Sequence, residues 1–341
     1  MIVQECLPSC TDPSAWVRLL GDGYVRNSLL KRIETPPPQP EGFLHLPYWY
    51  GRVIRKDTAF RDRPDDAAKE TGRVTVDTMI AVFLDDALYE KGWLRRIDGT
   101  YVRSSQVARI EPYPFSGVPD PELPIAFTLR RVRTSTDELF ERHVHLPVLG
   151  TDVKGNIVTA PGSLSRSAVR LAVQRDRPAG VSAGGKWVHV DLREQTLVAY
   201  EGDRPVLATL VSSGKDQTPT PEGLFMVWQK ARHEPMSGLE DDPYLVEEVP
   251  DILFFSEGIA LHGSFWHSQF GTQVSHGCVN ISVKDARWLF DWSPPELPFG
   301  WHSIIPDMAG RPSLPVLVER APPVKLPRFQ PQTDDDSDAR N

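Results

Sequence analysis

Cys278 sits in the hexapeptide SHGCVN, residues 275–280, with His276 two positions before it and His262 sixteen before it. The other cysteines, Cys6 and Cys10, lie in the first ten residues. A lone thiol among histidines can be a buried structural group, a metal ligand or a nucleophile. A thiol attacks only as thiolate, and an ordinary cysteine, with a pKa of about 8.5, is mostly protonated at neutral pH. A neighbouring imidazole can take the proton, and the sulfur then attacks a carbonyl carbon to give a thioester that water or an amine resolves. The oxyanion formed on the way needs hydrogen-bond donors, which backbone amides in a tight turn supply. Gly277 lets the backbone come close to a substrate. A zinc site could draw on His262, His267, His276 and Cys278. However, the H-x4-H and H-x-C spacings match no familiar structural zinc pattern, and no acidic residue stands among them to act as base. On these residues alone, the buried thiol and the nucleophile both stay open.

The elements that must position these groups begin at Lys186. KWVHVDLREQTLVAYEGDRPVLATLVSSG alternates apolar and polar residues, with turn points at Arg193-Glu194 and Gly202-Asp203, which predicts a β-meander. GLFMVWQKA predicts a further strand, followed by a long loop, then GIALHG and SHGCVN. KDARWLFDW, residues 284–292, predicts a helix with Ala286, Leu289 and Phe290 on one face. GWHSII and LPVLVER predict closing strands.

Upstream, YGRVIRK, GRVTVDTMIAVF and KGWLRRIDGTYVRSSQVARI read as short alternating strands separated by turn residues, the pattern of a small all-β barrel. Part of it is repeated. WVRLLGDGYVRNSLLKRIE (16–34) aligns without gaps on WLRRIDGTYVRSSQVARIE (93–111), identical at nine of nineteen positions with an offset of 77. Only 15 residues precede Trp16, so a complete first copy would start upstream of Met1, and the expectation is a true N-terminus, with any export signal, beyond this sequence. ETPPPQPEG (34–42) predicts an extended linker. In residues 112–182, AFTLRR and RHVHLPVLG look strand-like, and SLSRSAVRLAV fits a strand or a short helix. The tail KLPRFQPQTDDDSDARN is polar and charged, which predicts disorder.

Composition sets outer limits. A chain of 341 residues has room for two or three domains, and its 32 prolines cluster between segments, as stiff connectors would. A net charge of -8 leaves no basic footprint for nucleic acid. No stretch reaches the roughly 18–20 apolar residues of a membrane helix. The start, MIVQECLPSCTDPSAW, lacks the basic region and apolar run of a signal peptide. LPSC resembles a lipoprotein cleavage box, but too few residues precede it for the apolar segment such a signal needs.

IALHG, a spacer, then SHGCVN resembles the L,D-transpeptidase (YkuD-type) catalytic domain, in which a His precedes Ser/Thr-His-Gly-Cys-x-Asn/Arg. The likeness runs upstream through VDLREQTLVAY, VSSG and TPTPEGLF and downstream through DARWLFDW, over residues 186–320. The spacer of twelve residues between His262 and Ser275 is short for the family. The resemblance implies a mainly β fold: a β-sandwich catalytic domain with one short helix after the nucleophile, behind small SH3-like β-barrel modules. Residues 48–111 resemble a bacterial SH3-like domain, with the GW-then-YV arrangement that closes such barrels. The domain expectation is a partial SH3-like repeat and linker over 1–39, an SH3-like domain over 40–115, a connecting subdomain over 116–182, the catalytic domain over 183–321 and a disordered tail over 322–341.

The resemblance also implies roles. Cys278 would be the nucleophile and His262 its base, with the Gly263 carbonyl fixing the His262 tautomer. His276, Gly277 and the Cys278 amide would shape the oxyanion pocket, while Ser275 and Asn280 would hold the loop. Trp266 and Tyr244 would wall the substrate pocket, beneath a mobile lid over 231–258, although either could equally serve packing. His267 would sit at the rim, and His189 and His302 would be structural. The implied reaction is attack on a peptidoglycan tetrapeptide stem, release of D-Ala and transfer of the acyl group to a stem amine, to water, to a free D-amino acid or to a lysine of a partner protein. No metal or organic cofactor is implied, carbapenem acylation of Cys278 is expected, and the substrate sets an extracytoplasmic location. An NlpC-type endopeptidase, also often joined to SH3-like modules, places its Cys before its His, the reverse of the order here. A wall-binding scaffold with an inactive catalytic domain is the non-enzymatic rival.

Overall fold

The computed structural model describes residues 3–7, 16–19, 24–26, 28, 48–83, 86–238, 244–298 and 300–330. The proline-rich stretch 34–42 lies outside the described residues.

The chain is mainly β. The meander expected from Lys186 is present as Lys186–Asp191, Thr196–Glu201 and Arg204–Ser212. Pro315–Glu319 joins Lys186–Asp191 in parallel, and Gly223–Met226 pairs antiparallel beyond it. A second sheet starts with the long hairpin Gln229–Ser237 and Leu245–Ser256, passes to Ile259–Gly263, and ends on Val279–Ile281, which lies parallel to it. Arg204–Ser212 serves both sheets, because Val211 and Ser212 pair with Ile281 and Asn280. Val188, Val190 and Leu197 of the first sheet meet Leu253, Leu261 and Val279 of the second in one buried cluster. At about 1.5–3 kcal/mol for each large aliphatic side chain fully buried, this contact holds the two sheets face to face.

One edge of the sandwich is closed by the helix Val283–Trp292, which buries Ala286, Leu289 and Phe290 against the cluster. Ser282 starts it: the side-chain oxygen accepts the Asp285 N–H at 3.2 Å. The buried Asp285 carboxylate accepts in turn from Ser282 Oγ, from Thr209 Oγ1 at 2.6 Å and from the Gly117 N–H at 2.9 Å. That single side chain ties the helix to the meander and to the segment leading in from the N-terminal side.

Residues 112–182 are more than a connector. Ile125–Thr128 lies between His145–Pro147 and Val169–Ala172 in one small sheet, and Gly150–Thr151, Ile157–Thr159 and Gly162–Leu164 form another. SLSRSAVRLAV is thus divided: a strand, a 3-10 turn at Arg166–Ala168, then a second strand. Phe115, Ile125, Phe127 and Phe270 pack on Trp187 and Tyr200, whose rings stack at 4.2 Å. Lys186–Asp191 is therefore covered on both faces. Val118–Pro119 even extends the first sheet by pairing with Ala208 and Leu207.

A disordered tail from residue 322 is corrected over 322–330. Val324 and Leu326 pack on the cluster around Leu146, Ile157 and Leu164, and Phe329 N–H donates to Thr151 O at 2.9 Å. The apolar residues spaced through PPVKLPRF, hidden by an acidic end, supply that contact. Residues 331–341 lie outside the described residues.

Tyr48 to Arg109 form a small curled sheet. Tyr48–Val53 pairs with Val107–Arg109 and with Met79–Phe83, which continues through Trp93–Arg96, Tyr101–Arg103 and Thr58–Arg61 to Glu70–Val74. Val53, Phe60, Ile80, Val82, Leu94 and Val102 fill it. GRVTVDTMIAVF, read as one strand, is two, because Asp77 adopts φ 64 and its N–H turns back to Val53 O at 2.9 Å. A five-residue helix, Asp86–Glu90, falls where the alternation gave no signal. The internal repeat holds at the backbone level. Trp16↔Arg26, Val17↔Val25 and Arg18↔Tyr24 reproduce Trp93↔Arg103, Leu94↔Val102 and Arg95↔Tyr101 residue for residue.

Candidate active site

Period-two alternation on two adjacent parallel strands places the chemistry. Leu261, Val279 and Ile281 point into the sandwich core. Ala260, His262, Cys278 and Asn280 must then face the other way, and Ala260 and Cys278 join a cluster with Tyr50, Met79, Val246 and Phe265. Register sets His262 opposite Asn280. Cys278 stands one residue before its strand, half-buried. Its thiol lies 3.8 Å from Gly258 O, and the Ala260 N–H is directed at the sulfur. Burial pushes the thiol up to about 11, against the opposing pull of that N–H.

His262 is buried, and its Nδ1 lies 3.2 Å from Gly263 O. A carbonyl can only accept, so Nδ1 carries the proton and Nε2 keeps its lone pair. Burial drives the imidazole down to about 4, which the carbonyl only partly counters. Both groups are therefore neutral near pH 7. The Trp266 ring stacks on His262 at 5.8 Å and 25°.

The turn before Cys278 is held from two sides. Within it, Ser275 Oγ donates to Cys278 O and accepts the Gly277 N–H at 3.1 Å. Outside it, the 213–220 segment forms a cradle: Ser213 O accepts the N–H groups of Val274 and Ser275, and Thr220 Oγ1 donates to Gly277 O at 2.7 Å. Gly277 has φ 122, and a Cβ there would meet Ile259 Cδ1 at 2.6 Å. Gly214 is equally confined, since a Cβ would meet Thr218 O at 2.1 Å.

His276 stacks on Tyr244 at 4.9 Å, and Lys215 Nζ lies 3.5 Å from its Nε2. Asn280 contacts His267 Nε2 at 2.9 Å, while His267 Nδ1 accepts the Gln269 N–H at 3.1 Å. With Nδ1 accepting and burial holding the ring neutral at about 4, Nε2 carries the proton, and the Asn280 amide oxygen belongs on that side. His189 is buried beside Glu319, and His302 lies edge-on to His233, and neither lines the cavity that holds the thiol.

A cavity of about 260 Å³ brings Cys278, His262, His276, Ser275, Asn280, Trp266 and Tyr244 to one surface. Every side chain expected to touch substrate lines it, whereas Gly263 and Gly277 are not among the residues that do. The segment 231–258 covers most of the long hairpin, and Met236, Tyr244 and Val246 of that region line the cavity. Residues 239–243 at its tip lie outside the described residues. A neighbouring cavity of about 440 Å³ shares Trp266 and His267 but not the thiol, so the candidate site is the smaller one. Sequence reasoning did not find Asp77 and Met79, which also line the active cavity. They come from the N-terminal barrel, and nothing in their local pattern signals a contact so distant in sequence. Thr220 was within reach, in the TPTPEGLF motif. Among the described residues, no three His, Cys, Asp or Glu side chains gather closely enough to hold a metal ion.

Residues 185–314 match the family model of the YkuD L,D-transpeptidase catalytic domain. The Bacillus subtilis protein YciB is 25% identical over 163 residues, 38% of this chain and 74% of the relative. L,D-transpeptidase 1 of Mycobacterium tuberculosis is 34% identical over 96 residues, 25% of this chain and 38% of its own length. This chain thus spans well under half of that relative. The catalytic domain of the Enterococcus faecium L,D-transpeptidase is 28% identical, with 40% of this chain and 98% of that one covered at a TM-score of 0.32. Residues 185–314 of this chain are an L,D-transpeptidase catalytic domain of the YkuD family.

Proposed function

We propose that the protein is a peptidoglycan L,D-transpeptidase working through a thioester on Cys278. The observation that carries this reading is one cavity holding the Cys278 thiol and a His262 whose tautomer is set by Gly263 O. Nε2 of His262 takes the thiol proton as the sulfur attacks the carbonyl of the third residue of a tetrapeptide stem. The C–S bond forms, the C–N bond to the terminal D-Ala breaks, and the imidazolium returns its proton to the departing amine. An acceptor amine then attacks the thioester and gives a proton to His262, which passes it to the leaving sulfur. The Cys278 amide, at the end of a turn braced by Ser275 and Gly277, serves as an oxyanion donor, with His276 beside it. Asn280 holds His267 in place at the rim.

On this reading the barrel is a bacterial SH3-like module that tethers the enzyme to the wall, the location is extracytoplasmic, and carbapenems acylate Cys278. A lysine of a partner protein is an alternative acceptor. Intact-protein mass spectrometry after incubation with a tetrapeptide donor or a carbapenem tests the nucleophile. A covalent adduct on the native protein, absent from Cys278→Ala, is expected. No adduct with either reagent would move the protein to a binding scaffold.

A further inference from the structure

The cavity around Cys278 is not built by the catalytic domain alone, since Asp77 and Met79 of the barrel form part of its wall. Their placement is fixed. Met79 pairs in parallel with Val246 at the edge of the hairpin. Tyr50 stacks on Phe265 at 3.5 Å and donates its hydroxyl to Glu248 O. Glu247 accepts the Ala81 N–H at 2.9 Å and pairs with the Arg96 guanidinium. These contacts hold the barrel in one register against the pocket.

Asp77 closes the turn ahead of Met79 with φ 64, a backbone state that Asp and Asn tolerate better than most residues. Arg52 reaches Asp77 Oδ1 at 3.3 Å with one nitrogen and Trp266 O at 2.9 Å with another. One guanidinium thus links Asp77 to the residue stacked on the proposed base. Asp77 Oδ2 has no hydrogen bond among the described residues, and the side chain is 72% exposed. It is also the only carboxylate among the described residues that line the cavity, the remaining polar groups being the Gln269 and Asn280 amides, the Ser275 and Tyr244 hydroxyls, the Trp266 indole, the Cys278 thiol and three histidines.

We propose that Asp77 is a subsite for the primary ammonium group of a substrate, so that the barrel sets specificity at the catalytic pocket. This rests on the acyl-transfer reading above. A stem peptide with a diamino acid at its third position offers such a group twice, as the side chain of the donor and as the amine of the acceptor. For an acceptor, Asp77 holds the ammonium form at the pocket mouth. The amine sheds one proton to solvent and attacks the thioester carbonyl, so the C–N bond forms and the C–S bond breaks. Its second proton reaches the sulfur through His262. Asp77 itself is not consumed. An ion pair this exposed supports an effect of about three- to five-fold, larger at low ionic strength.

The test uses the full chain and Asp77→Asn, which keeps the turn and removes the charge. Acylation is timed by intact mass with two tetrapeptide donors, one with a free side-chain amine and one with that amine acetylated. The thioester is then partitioned between D-methionine and water. If the ammonium is the donor's, the native protein prefers the free donor about three- to five-fold and Asp77→Asn acylates both alike. If it is the acceptor's, acylation stays unchanged and the amine-to-water ratio falls by the same factor. Either result supports the subsite. Unchanged ratios, or an equal loss with both donors at constant partition, overturn it. A native protein that neither donor acylates overturns the functional reading instead, which keeps the two failures distinct.

Discussion

Burial acts on Cys278 and His262 in opposite senses, pushing the thiol up to about 11 and the imidazole down to about 4. The resting pair is therefore thiol and neutral imidazole, and in the proposed reaction the proton moves only as the sulfur attacks. The pH dependence follows directly. As pH falls through about 4, His262 gains a proton and can no longer accept one, so acylation fails there and not near 6.5. As pH rises, the thiol ionises by itself only near 11, so little is gained between pH 6 and 9. A rate–pH profile of Cys278 acylation should be flat across that range with its acid limb near 4. His262→Asn should slow acylation by about 10²–10⁴, the range for a lost general base, and abolish the limb. An acid limb near 6.5, or a variant of undiminished rate, would contradict these roles.

Among the elements, the helix Val283–Trp292 carries the least visible support. Lys230, fully buried, donates to Phe290 O at 2.8 Å, Ser293 O at 2.6 Å and Pro295 O at 2.8 Å, around the C-terminal end of the helix. Burial lowers its amine to about 7, but a neutral amine has two N–H groups and cannot serve three acceptors, so the full set of bonds belongs to the ammonium. Lys230→Met should leave the buried Ser293 and Pro295 carbonyls unpaired, with Phe290 O keeping only Ser293 Oγ at 3.1 Å, and lower stability by about 2–4 kcal/mol, read as a fall in denaturation midpoint with the far-UV spectrum kept. A midpoint unchanged from the native protein would refute that role. Nothing in GLFMVWQKA marks Lys230 as buried, because its partners lie about sixty residues on. The meander and the helix were legible, since alternation and i, i+3 spacing are local signals. The break at Asp77 was not, because Val74, Val76, Met79 and Ile80 flank it closely and the backbone at φ 64 is what reveals the turn. Cys278, His262 and Trp266 were likewise legible as an ordered motif, whereas Asp77 and Met79 reach the cavity only through the pairing of Met79 with Val246.

At the scale of the whole molecule, the sandwich, the 112–182 segment and the barrel are joined by buried contacts, and several of these enclose histidine. His143, His262 and His267 are held down to about 4 and His189 to about 3, in each case first by burial. Their folded values lie below the unfolded one, so the stability they contribute is complete above about pH 6.5 and is lost as pH falls toward 4, or toward 3 for His189, at most about 3 kcal/mol for each of the first three and about 5 kcal/mol for His189. Asp251, raised to about 6 by burial, acts in the opposite direction but stands against four such groups. The melting temperature should drop steeply between pH 6.5 and 4.5, and a flat curve would show that these histidines are not buried in the folded protein. All of this supports one central claim, that the cavity transfers an acyl group through Cys278. The direct measurement is chromatography with mass spectrometry of a purified tetrapeptide muropeptide after incubation with the protein, beside Cys278→Ala. Loss of D-Ala together with a dimer linked between third residues, both absent from the variant, is the predicted result. An unchanged muropeptide, or equal D-Ala loss with the variant, would contradict the claim.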